Sequence, residues 1–468
     1  MLSPPLTGLM QLRHPFVVFS SLASFALGPI AGAHAAPDGD ARSQNTRPSA
    51  EKLEEAVNNP PRRAAPSAQL LRDDHALSRW VLAHSPEVAA ARSERAAARA
   101  VSRGARLFPN PVVDFTFGNV ALGQTNPPGH PRDKTLLYEV GLSETIEIAK
   151  REPRGEAADL HLAAAENRMT ATGADRIGEA RLALAQLVYA RARALELDAS
   201  LTQARAAADV AKGRLDHQAL AGVDYDRLLI DLVGIETEAS HAHADAEAAA
   251  ARCAATLLAP CDGSADDVAA LEPAANVPKE WQPVTLRKRS DIRALELEGV
   301  ASSREADLAG ARAIPDVTFR VGYTHDTFTE SGNLNNSLAL SVSAPLPAFD
   351  RGQHDKTAAL ARATQYAQLA HGALARARGD VAALFTRKRS VENALARLTQ
   401  DVLPRANSVL AAQERGLLEG QLDITDLLLA RREAIALRLQ TLDLHFELFT
   451  LRNELRQALG LDEAIAQR

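Results

Sequence analysis

The sequence is poor in aromatic residues, which make up 4% of its 468 residues, and it holds only two cysteines and three methionines. Ala, Leu, Arg and Glu dominate instead, and this composition favours long helices over a compact mixed fold. Acidic and basic residues are nearly balanced, with a formal net charge of -6. Because no basic stripe is present to neutralise phosphates, the sequence does not favour nucleic-acid binding.

The sequence also lacks the motifs of common enzyme classes, since it contains no G-x-S-x-G, no H-E-x-x-H and no P-loop. His241 and His243 come nearest to a metal-binding pattern. On a helix, however, residues two apart point about 200° apart, so the two rings cannot chelate one ion. We therefore expect neither an enzyme nor a metal or cofactor site.

The N-terminus carries one apolar run, from Phe16 to Ile30, with basic residues before it and the small residues Ala33 and Ala35 after it. The run is shorter than the roughly 20 residues that a membrane-spanning helix needs. The pattern predicts a cleaved export signal over residues 1–35. No cysteine follows the run to carry a lipid anchor. Residues 36–73 lack periodicity and are predicted to form a flexible N-terminal arm.

The two cysteines, Cys253 and Cys261, lie close together in the sequence. In an exported protein this spacing favours a local disulfide over a metal site, because metal sites usually need three or four ligands. We expect the pair to stabilise the fold rather than to take part in chemistry.

Two stretches of the chain are alike: NPVVDFTFGNV, from Asn110 to Val120, and IPDVTFRVGYT, from Ile314 to Thr324. In both, apolar and polar side chains alternate, which predicts a strand with one apolar and one polar face. A second alternating stretch follows each of them after a polar, turn-rich segment. Each half therefore predicts one hairpin, with strands at about 112–120 and 136–146 in the first half and about 316–324 and 337–346 in the second.

A long helix is predicted after each hairpin, because apolar residues then step by three and four as in a coiled-coil seam. A helix from Pro153 to Leu215 would be roughly 95 Å long. Each long helix is followed by a turn and a return helix. The pattern predicts two structural repeats, 74–265 and 284–460, joined by a linker or equatorial segment at 266–283 and followed by a C-terminal tail at 461–468.

Four strands in one chain leave open sheet edges, which a membrane does not tolerate. Closed membrane barrels need about eight strands or more, so the barrel must be shared between chains. Two chains would give eight strands and a filled interior, whereas three would give twelve and a pore. A homotrimer therefore suits a conduit. Asp114, Glu139 and Arg320 would face its lumen, and the alternating apolar residues would face outer-membrane lipid.

On these features the sequence resembles the TolC family of outer-membrane efflux channels, over nearly all of its mature length. It is most similar to the outer-membrane component of cation-efflux (Czc-type) systems. LFPNPVVDF resembles the Leu-Pro-Asn-Pro segment that opens the first strand in that subgroup. APLPAFDRGQ, from Ala344 to Gln353, resembles the Pro-Leu-Pro-Leu-Phe-Asp-Arg-Asn-Gln segment that leaves the second hairpin.

The resemblance implies a mainly α fold with a small membrane β part. In this family three chains form a twelve-stranded β-barrel in the outer membrane, continued by an α-helical tunnel into the periplasm. The channel needs no cofactor, because a proton-driven inner-membrane pump of the RND type supplies the energy through a periplasmic adaptor. Heavy-metal cations are the substrates that the subgroup implies.

The turns at Gly222 and Gly420 are expected to form the periplasmic tip that contacts the adaptor, together with Val223, Gln421 and Leu422. Asp423 and Asp426 follow one helical turn apart at the start of the second return helix. Asp at a helix start is a routine N-cap. The family carries a ring of aspartates at this place, however, and a carboxylate ring in a narrow pore attracts cations. Both interpretations, cap and periplasmic gate, stay open.

Other functions share parts of this pattern. Outer-membrane conduits for drug efflux or type I secretion would have the same architecture, since the conduit itself selects little. A periplasmic coiled-coil adaptor protein would share the helices and the export signal, but it would lack four strands bounded by long polar loops.

Overall fold

The computed structural model describes residues 70–71, 73–120, 122–123, 135–262, 276–278, 282–327, 334–418 and 424–466. All of them belong to one compact unit, Arg62–Arg468. The unit is mainly helical and contains one four-stranded sheet, which confirms the predicted fold class at this level. The predicted export signal and most of the predicted flexible arm lie outside the described residues.

Two short helices open the first repeat. Helix α1, Asp74–His84, begins after Asp73, whose carboxylate accepts hydrogen bonds from two backbone N–H groups of the first turn. Helix α2, Pro86–Ala105, begins after Ser85, whose hydroxyl caps it. Proline suits the first helical position because its missing N–H would have no partner there. The first helix therefore ends before Pro86 and a new helix begins there.

The sheet is antiparallel, with β1 Val112–Gly118, β2 Leu137–Ile146, β3 Val317–Asp326 and β4 Asn336–Ser343 in the order β1-β2-β3-β4. Each predicted strand overlaps an observed one. The largest boundary difference is at β4, which ends before Pro345 and Pro347, because proline has no N–H to donate to a ladder. Strands β2 and β3 pair along ten residue positions, so the hairpins of the two repeats form one sheet.

The first repeat continues into helix α3, Arg151–Asp216, whose 66 residues extend about 100 Å at 1.5 Å per residue. Helix α4, Gly222–Leu257, then runs back along it. The predicted seam is the contact: Ala194, Leu197 and Ala204 pack against α4. Small alanine side chains let the two helices approach closely.

The second repeat has the same order of elements with an interrupted long helix. Its helices are α5 Pro283–Leu286, α6 Ser290–Ala311, α7 Gln353–Arg397, a π-helical turn Leu398–Val402, α8 Leu403–Leu418, α9 Ile424–Ala458 and α10 Glu463–Ala466.

The π-helical turn stands directly before Pro404. The backbone N–H of Leu403 donates to the carbonyl of Leu398, five residues earlier. Proline lacks the N–H of an ordinary α-helical bond, and its ring clashes with the carbonyl four residues before it. Widening the preceding turn accommodates both effects. This interruption was not among the features predicted from the sequence.

Two segments that were predicted to lie outside the repeats belong to the packed structure. Leu71, at the end of the predicted flexible arm, is buried in the core formed by α1, α3, α4 and α9. Asp462, in the predicted C-terminal tail, is fully buried and forms an ion pair with Arg181 of α3. Such short segments have no periodicity to reveal their burial.

Candidate functional site

The polar face of the sheet brings together the three charged residues that the sequence placed in a lumen. The guanidinium Nη2 of Arg320 on β3 lies 2.5 Å from Oδ2 of Asp114 on β1 and 2.5 Å from Oε1 of Glu139 on β2. The Nε of Arg320 also donates to Oδ1 of Asp114 at 3.3 Å. One arginine therefore bridges two carboxylates across three strands.

Glycine makes room for this cluster. Gly141 pairs with Asp114 on one side and with Gly322 on the other. A Cβ atom at Gly141 would lie 2.5 Å from the Nη2 of Arg320 and 2.5 Å from the Asp114 carboxylate. The charged side chains can thus lie flat on the sheet only because the residue between them has no side chain.

The opposite face of the sheet is apolar and exposed. Cross-strand pairs such as Phe115 with Val140 and Val321 with Leu340 place apolar side chains side by side. Phe115 is 76% exposed and Leu340 is 75% exposed. The exposed apolar residues on this face are Val113, Phe115, Phe117, Tyr138, Val140, Leu142, Ile146, Phe319, Val321, Tyr323, Leu338, Leu340 and Val342. A continuous exposed apolar surface of this kind marks a contact with lipid or with another chain.

Strands β1 and β4 are the two edges of the sheet within the described residues. Each has a neighbour on one side, so the N–H and C=O groups of its other side face outward, ready to pair with another strand.

The turns at which the two return helices begin are described in part. Gly222 begins α4, and Val223 beside it is exposed. Asp226 lies near the start of α4, and Asp426 lies at the corresponding place in the second repeat, exposed in the first turn of α9. Arg227 of α4 donates to the hydroxyl of Thr425 at 3.2 Å. The two return helices therefore begin close together.

Four of the predicted tip and gate residues lie outside the described residues, namely Gly420, Gln421, Leu422 and Asp423. The pairing of Asp423 with Asp426 therefore stays a prediction.

Farther from the turn, an ion pair joins the same two helices. Asp231 of α4 is almost fully buried, and its Oδ1 lies 2.6 Å from the Nε of Arg432 on α9. The sequence alone does not reveal this pair, because its two members are 201 positions apart.

A cavity of about 310 Å³ lies near the same end, lined by Val210, Leu220, Glu414, Leu427 and Arg431, among others. Arg431 is buried, and within the described part of the chain its Nε and Nη1 have no hydrogen-bond partner. Burial lowers the pKa of the Arg431 guanidinium, with the nearby carboxylate of Glu414 acting in the opposite direction. No pattern in the sequence singles out this residue either.

A charged network outside the sheet centres on His161 of α3. Its Nδ1 lies 2.8 Å from Glu298 and its Nε2 lies 3.1 Å from Glu305, both on α6. Glu298 also accepts a hydrogen bond from Arg168 at 2.6 Å. The hydrogen bond to Glu298 raises the pKa of His161, against an opposing effect of partial burial, and Glu305 adds to the rise. The network joins the two repeats and favours a protonated imidazole.

The predicted cysteine pair and the paired histidines lie on α4 or next to it. Cys253 and Cys261 form a disulfide. His241 and His243 are exposed, and His243 lies 3.0 Å from Asp198 of α3.

In the part of the chain that the structure covers, no group of three or more potential ligands could hold a metal ion. Across the same residues, no helix has the length and apolarity needed to cross a bilayer.

One family model matches part of the chain. Residues 282–461 match the family model described as outer membrane efflux protein. This range runs from the start of α5 to the end of α9. No curated protein sequence matches the chain.

Solved structures of outer-membrane channels share the fold. VceC of Vibrio cholerae, an outer membrane protein, has a TM-score of 0.67 at 20% identity, over 83% of this chain and 96% of VceC. CusC, described by its folding and transmembrane channel formation, has a TM-score of 0.71 at 16% identity, over 83% of this chain and 92% of CusC. The CmeC outer membrane channel of Campylobacter jejuni has a TM-score of 0.69 at 11% identity, over 85% of this chain and 89% of CmeC.

Proposed function

We propose, from a second repeat that matches the outer membrane efflux protein family and a fold shared with solved outer-membrane channels, that the chain is the outer-membrane conduit of a tripartite efflux system. Three copies form a passive channel with a twelve-stranded barrel and a helical tunnel in the periplasm. An adaptor and an inner-membrane RND-type pump deliver the substrate to it.

The observation that carries the proposal is the two-faced sheet with open edges at the end of helices about 100 Å long. The apolar face suits lipid acyl chains, and the polar face suits a water-filled lumen. A bilayer offers no water to satisfy the edges, so β1 of one chain must pair with β4 of the next. Four strands per chain then close into a pore when three chains meet.

The charges on the polar face support cations as the substrate. Asp114 and Glu139 contribute two carboxylates, and Arg320 contributes one guanidinium, which leaves one net negative charge per chain. Threefold repetition turns this charge into an acidic ring, and such rings attract cations and repel anions. The resemblance of the strand-flanking segments to the cation-efflux subgroup narrows the proposal to heavy-metal cations.

Asp426 is proposed to act at the other end of the conduit. It is exposed in the first turn of α9, close to the turn of the first repeat. Together with Asp423 it would form a second acidic ring that narrows the resting tunnel. The turns around Gly222 and Gly420 would present the contact surface for the adaptor.

Conductance in planar lipid bilayers tests the proposal. We expect discrete current steps and a reversal potential on the cation-selective side in a salt gradient. Glu139→Gln should weaken the selectivity, because it removes one charge per chain from the ring. Glu236→Gln is the matched control, because Glu236 of α4 forms an exposed ion pair with Arg205 of α3 and does not belong to the sheet. The absence of any current, or equal selectivity in both variants, would contradict the proposal.

The substrate is tested in the native cell. Deletion of the gene should sensitise the cell to divalent heavy-metal cations, and the wild-type chain should restore resistance. If deletion instead sensitises the cell only to organic drugs, or abolishes secretion of a protein, the metal assignment is wrong although the conduit stands.

A further inference from the structure

Large apolar side chains are exposed where the strands meet the helices. Leu107 and Phe108 precede β1, and Leu346 and Phe349 follow β4. Phe349 is 95% exposed, more than any residue on the apolar face of the sheet itself. Both repeats thus place a phenylalanine at the same end of the sheet, beside its two edges.

The turn after β4 holds Phe349 in this exposed position. The Asp350 carboxylate accepts a hydrogen bond from the backbone N–H of Gly352 at 2.8 Å, and Gln353 accepts one from the N–H of Arg351 at 2.8 Å. Gly352 has φ +73, and a Cβ atom there would lie 2.0 Å from the carbonyl oxygen of Ala309. Only glycine fits at position 352, because any other side chain would clash with α6. The loop therefore packs closely against α6, and this contact holds the Phe349 ring in its exposed position.

An arginine accompanies each phenylalanine. The guanidinium carbon of Arg151 lies 4.2 Å from the ring centroid of Phe108. Arg351 follows Phe349 by two residues, and its Nε donates to the carbonyl oxygen of Pro347. Within the described ranges neither arginine forms an ion pair, whereas the neighbouring Lys150 pairs with Asp316 at 2.7 Å.

These four residues fit one environment. Bilayer hydrocarbon rejects a guanidinium, and water alone leaves the phenyl rings unburied. The headgroup region accepts both, since aromatic rings lie at this level and arginine binds phosphate with two parallel hydrogen bonds. An anionic headgroup is favoured over a zwitterionic one, because a negative membrane surface attracts unpaired basic residues.

We propose that Phe108, Arg151, Phe349 and Arg351 form an interfacial collar that binds anionic phospholipid headgroups of the leaflet nearest the helices. The inference rests on the proposed function, because it needs the sheet to lie in a bilayer. The collar fixes the depth of the barrel and concentrates anionic lipid around it.

Quenching of tryptophan fluorescence by brominated lipids tests the collar. Phe349→Trp is made in a chain whose two native tryptophans are replaced by Phe and is reconstituted in vesicles of phosphatidylglycerol and phosphatidylcholine. In one preparation phosphatidylglycerol carries the bromine, and in the other phosphatidylcholine carries it. The ratio of tryptophan quenching in the two preparations gives the local preference for the anionic lipid. Phe319→Trp, on the apolar face of the sheet, reports insertion independently.

We expect Phe349→Trp to be quenched, with a preference for phosphatidylglycerol. Arg151→Gln and Arg351→Gln should each lower that preference by about fivefold. High salt should also lower the preference in the Phe349→Trp chain that keeps both arginines. The lysine variants, which keep the charge, should retain most of the preference. The matched control is Arg252→Gln with Arg405→Gln, two exposed helix residues, and it should change nothing.

Equal quenching by both lipids in the unsubstituted collar, at low and at high salt, would overturn the inference. Quenching at Phe319→Trp without quenching at Phe349→Trp would also overturn it, since protein rather than lipid would then cover the collar. If neither position is quenched, the sheet is not in the bilayer, and the proposed function itself fails.

Discussion

The ion network around Asp462 predicts a large loss of stability when one carboxylate is removed. Asp462 is fully buried and accepts hydrogen bonds from both terminal nitrogens of Arg181 at 3.0 Å. It also lies 2.7 Å from Arg456 Nη2. Arg181 is itself 0% exposed. Asp462→Asn keeps the side-chain volume and removes the charge, so it isolates the electrostatic contribution.

Among the described residues, this substitution leaves Asp74 as the one carboxylate paired with the two buried guanidinium groups. It lies 3.2 Å from Arg181 and 2.9 Å from Arg456, and its side chain is 29% exposed. Breaking a buried pair by removing one partner costs about 3 to 5 kcal/mol, because the remaining charge stays buried without compensation. We expect Asp462→Asn to lower the free energy of unfolding by that amount.

Urea unfolding followed by far-ultraviolet circular dichroism measures the loss. All variants are compared at one protein concentration, because the proposed assembly would contribute to stability. Glu236→Gln is the control, since it breaks a pair with Arg205 whose two side chains are more than half exposed. Surface pairs contribute about 0 to 1 kcal/mol. If Asp462→Asn and Glu236→Gln cost the same, the network does not stabilise the fold and the reasoning is refuted.

A double substitution sharpens the test. Arg181→Met in the Asp462→Asn background removes one of the unpaired cations, so the double variant should lose less stability than the sum of the two single variants.

The pH dependence of stability gives a second check. Burial would raise the pKa of Asp462, but Arg181 and Arg456 outweigh it and lower the pKa below its usual value. The contribution of Asp462 should therefore be complete above about pH 4, where an unfolded Asp titrates, and should be lost as pH falls further.

Three further predictions concern other parts of the molecule. Gly141→Ala should displace the charged cluster and change the cation selectivity of the reconstituted channel, whereas Gly118→Ala, whose Cβ atom would meet its nearest neighbour at 3.7 Å, should leave selectivity unchanged. Because the pKa of His161 is raised in the folded state, protonated His161 contributes its full stabilisation below about pH 6.5, and this contribution is lost as pH rises through the folded-state pKa. His161→Gln should remove that part of the pH dependence of the free energy of unfolding, measured with urea. An unchanged pH profile would refute the assignment. Reduction of the disulfide between Cys253 and Cys261 should lower stability by about 2.5 kcal/mol, and two freely alkylated thiols in the unreduced, unfolded protein would show that the disulfide does not form.

Local patterns in the sequence were enough to place the strands and the first long helix. Alternation with a period of two depends on each strand alone, so the faces of β1 and β3 could be predicted before their pairing was known. The same pattern placed Asp114, Glu139 and Arg320 on one face. It could not show that Arg320 bridges both carboxylates, because that contact depends on the register of three strands.

The features that the sequence did not reveal depend on distant parts of the chain. Arg181 and Asp462 are 281 positions apart, and neither belongs to a recognisable motif. Burial of the residues near both ends of the described chain, Leu71 and Asp462, follows from packing against α3 and α9 rather than from local composition. The π-helical turn before Pro404 is different, since the proline was visible and its effect on the preceding turn is a local one.

The central claim is that three chains close one barrel by pairing β1 of each chain with β4 of the next. Cysteine cross-linking of these edges in the membrane tests it most directly, with Thr116→Cys on β1 combined in turn with Ser337→Cys, Ala339→Cys and Ser341→Cys on β4. All four positions lie on the polar face. We predict that at least one combination gives bands of one, two and three chains on a non-reducing gel and none larger. A ladder that extends beyond three chains, or no cross-link at any position, would contradict the closed trimer.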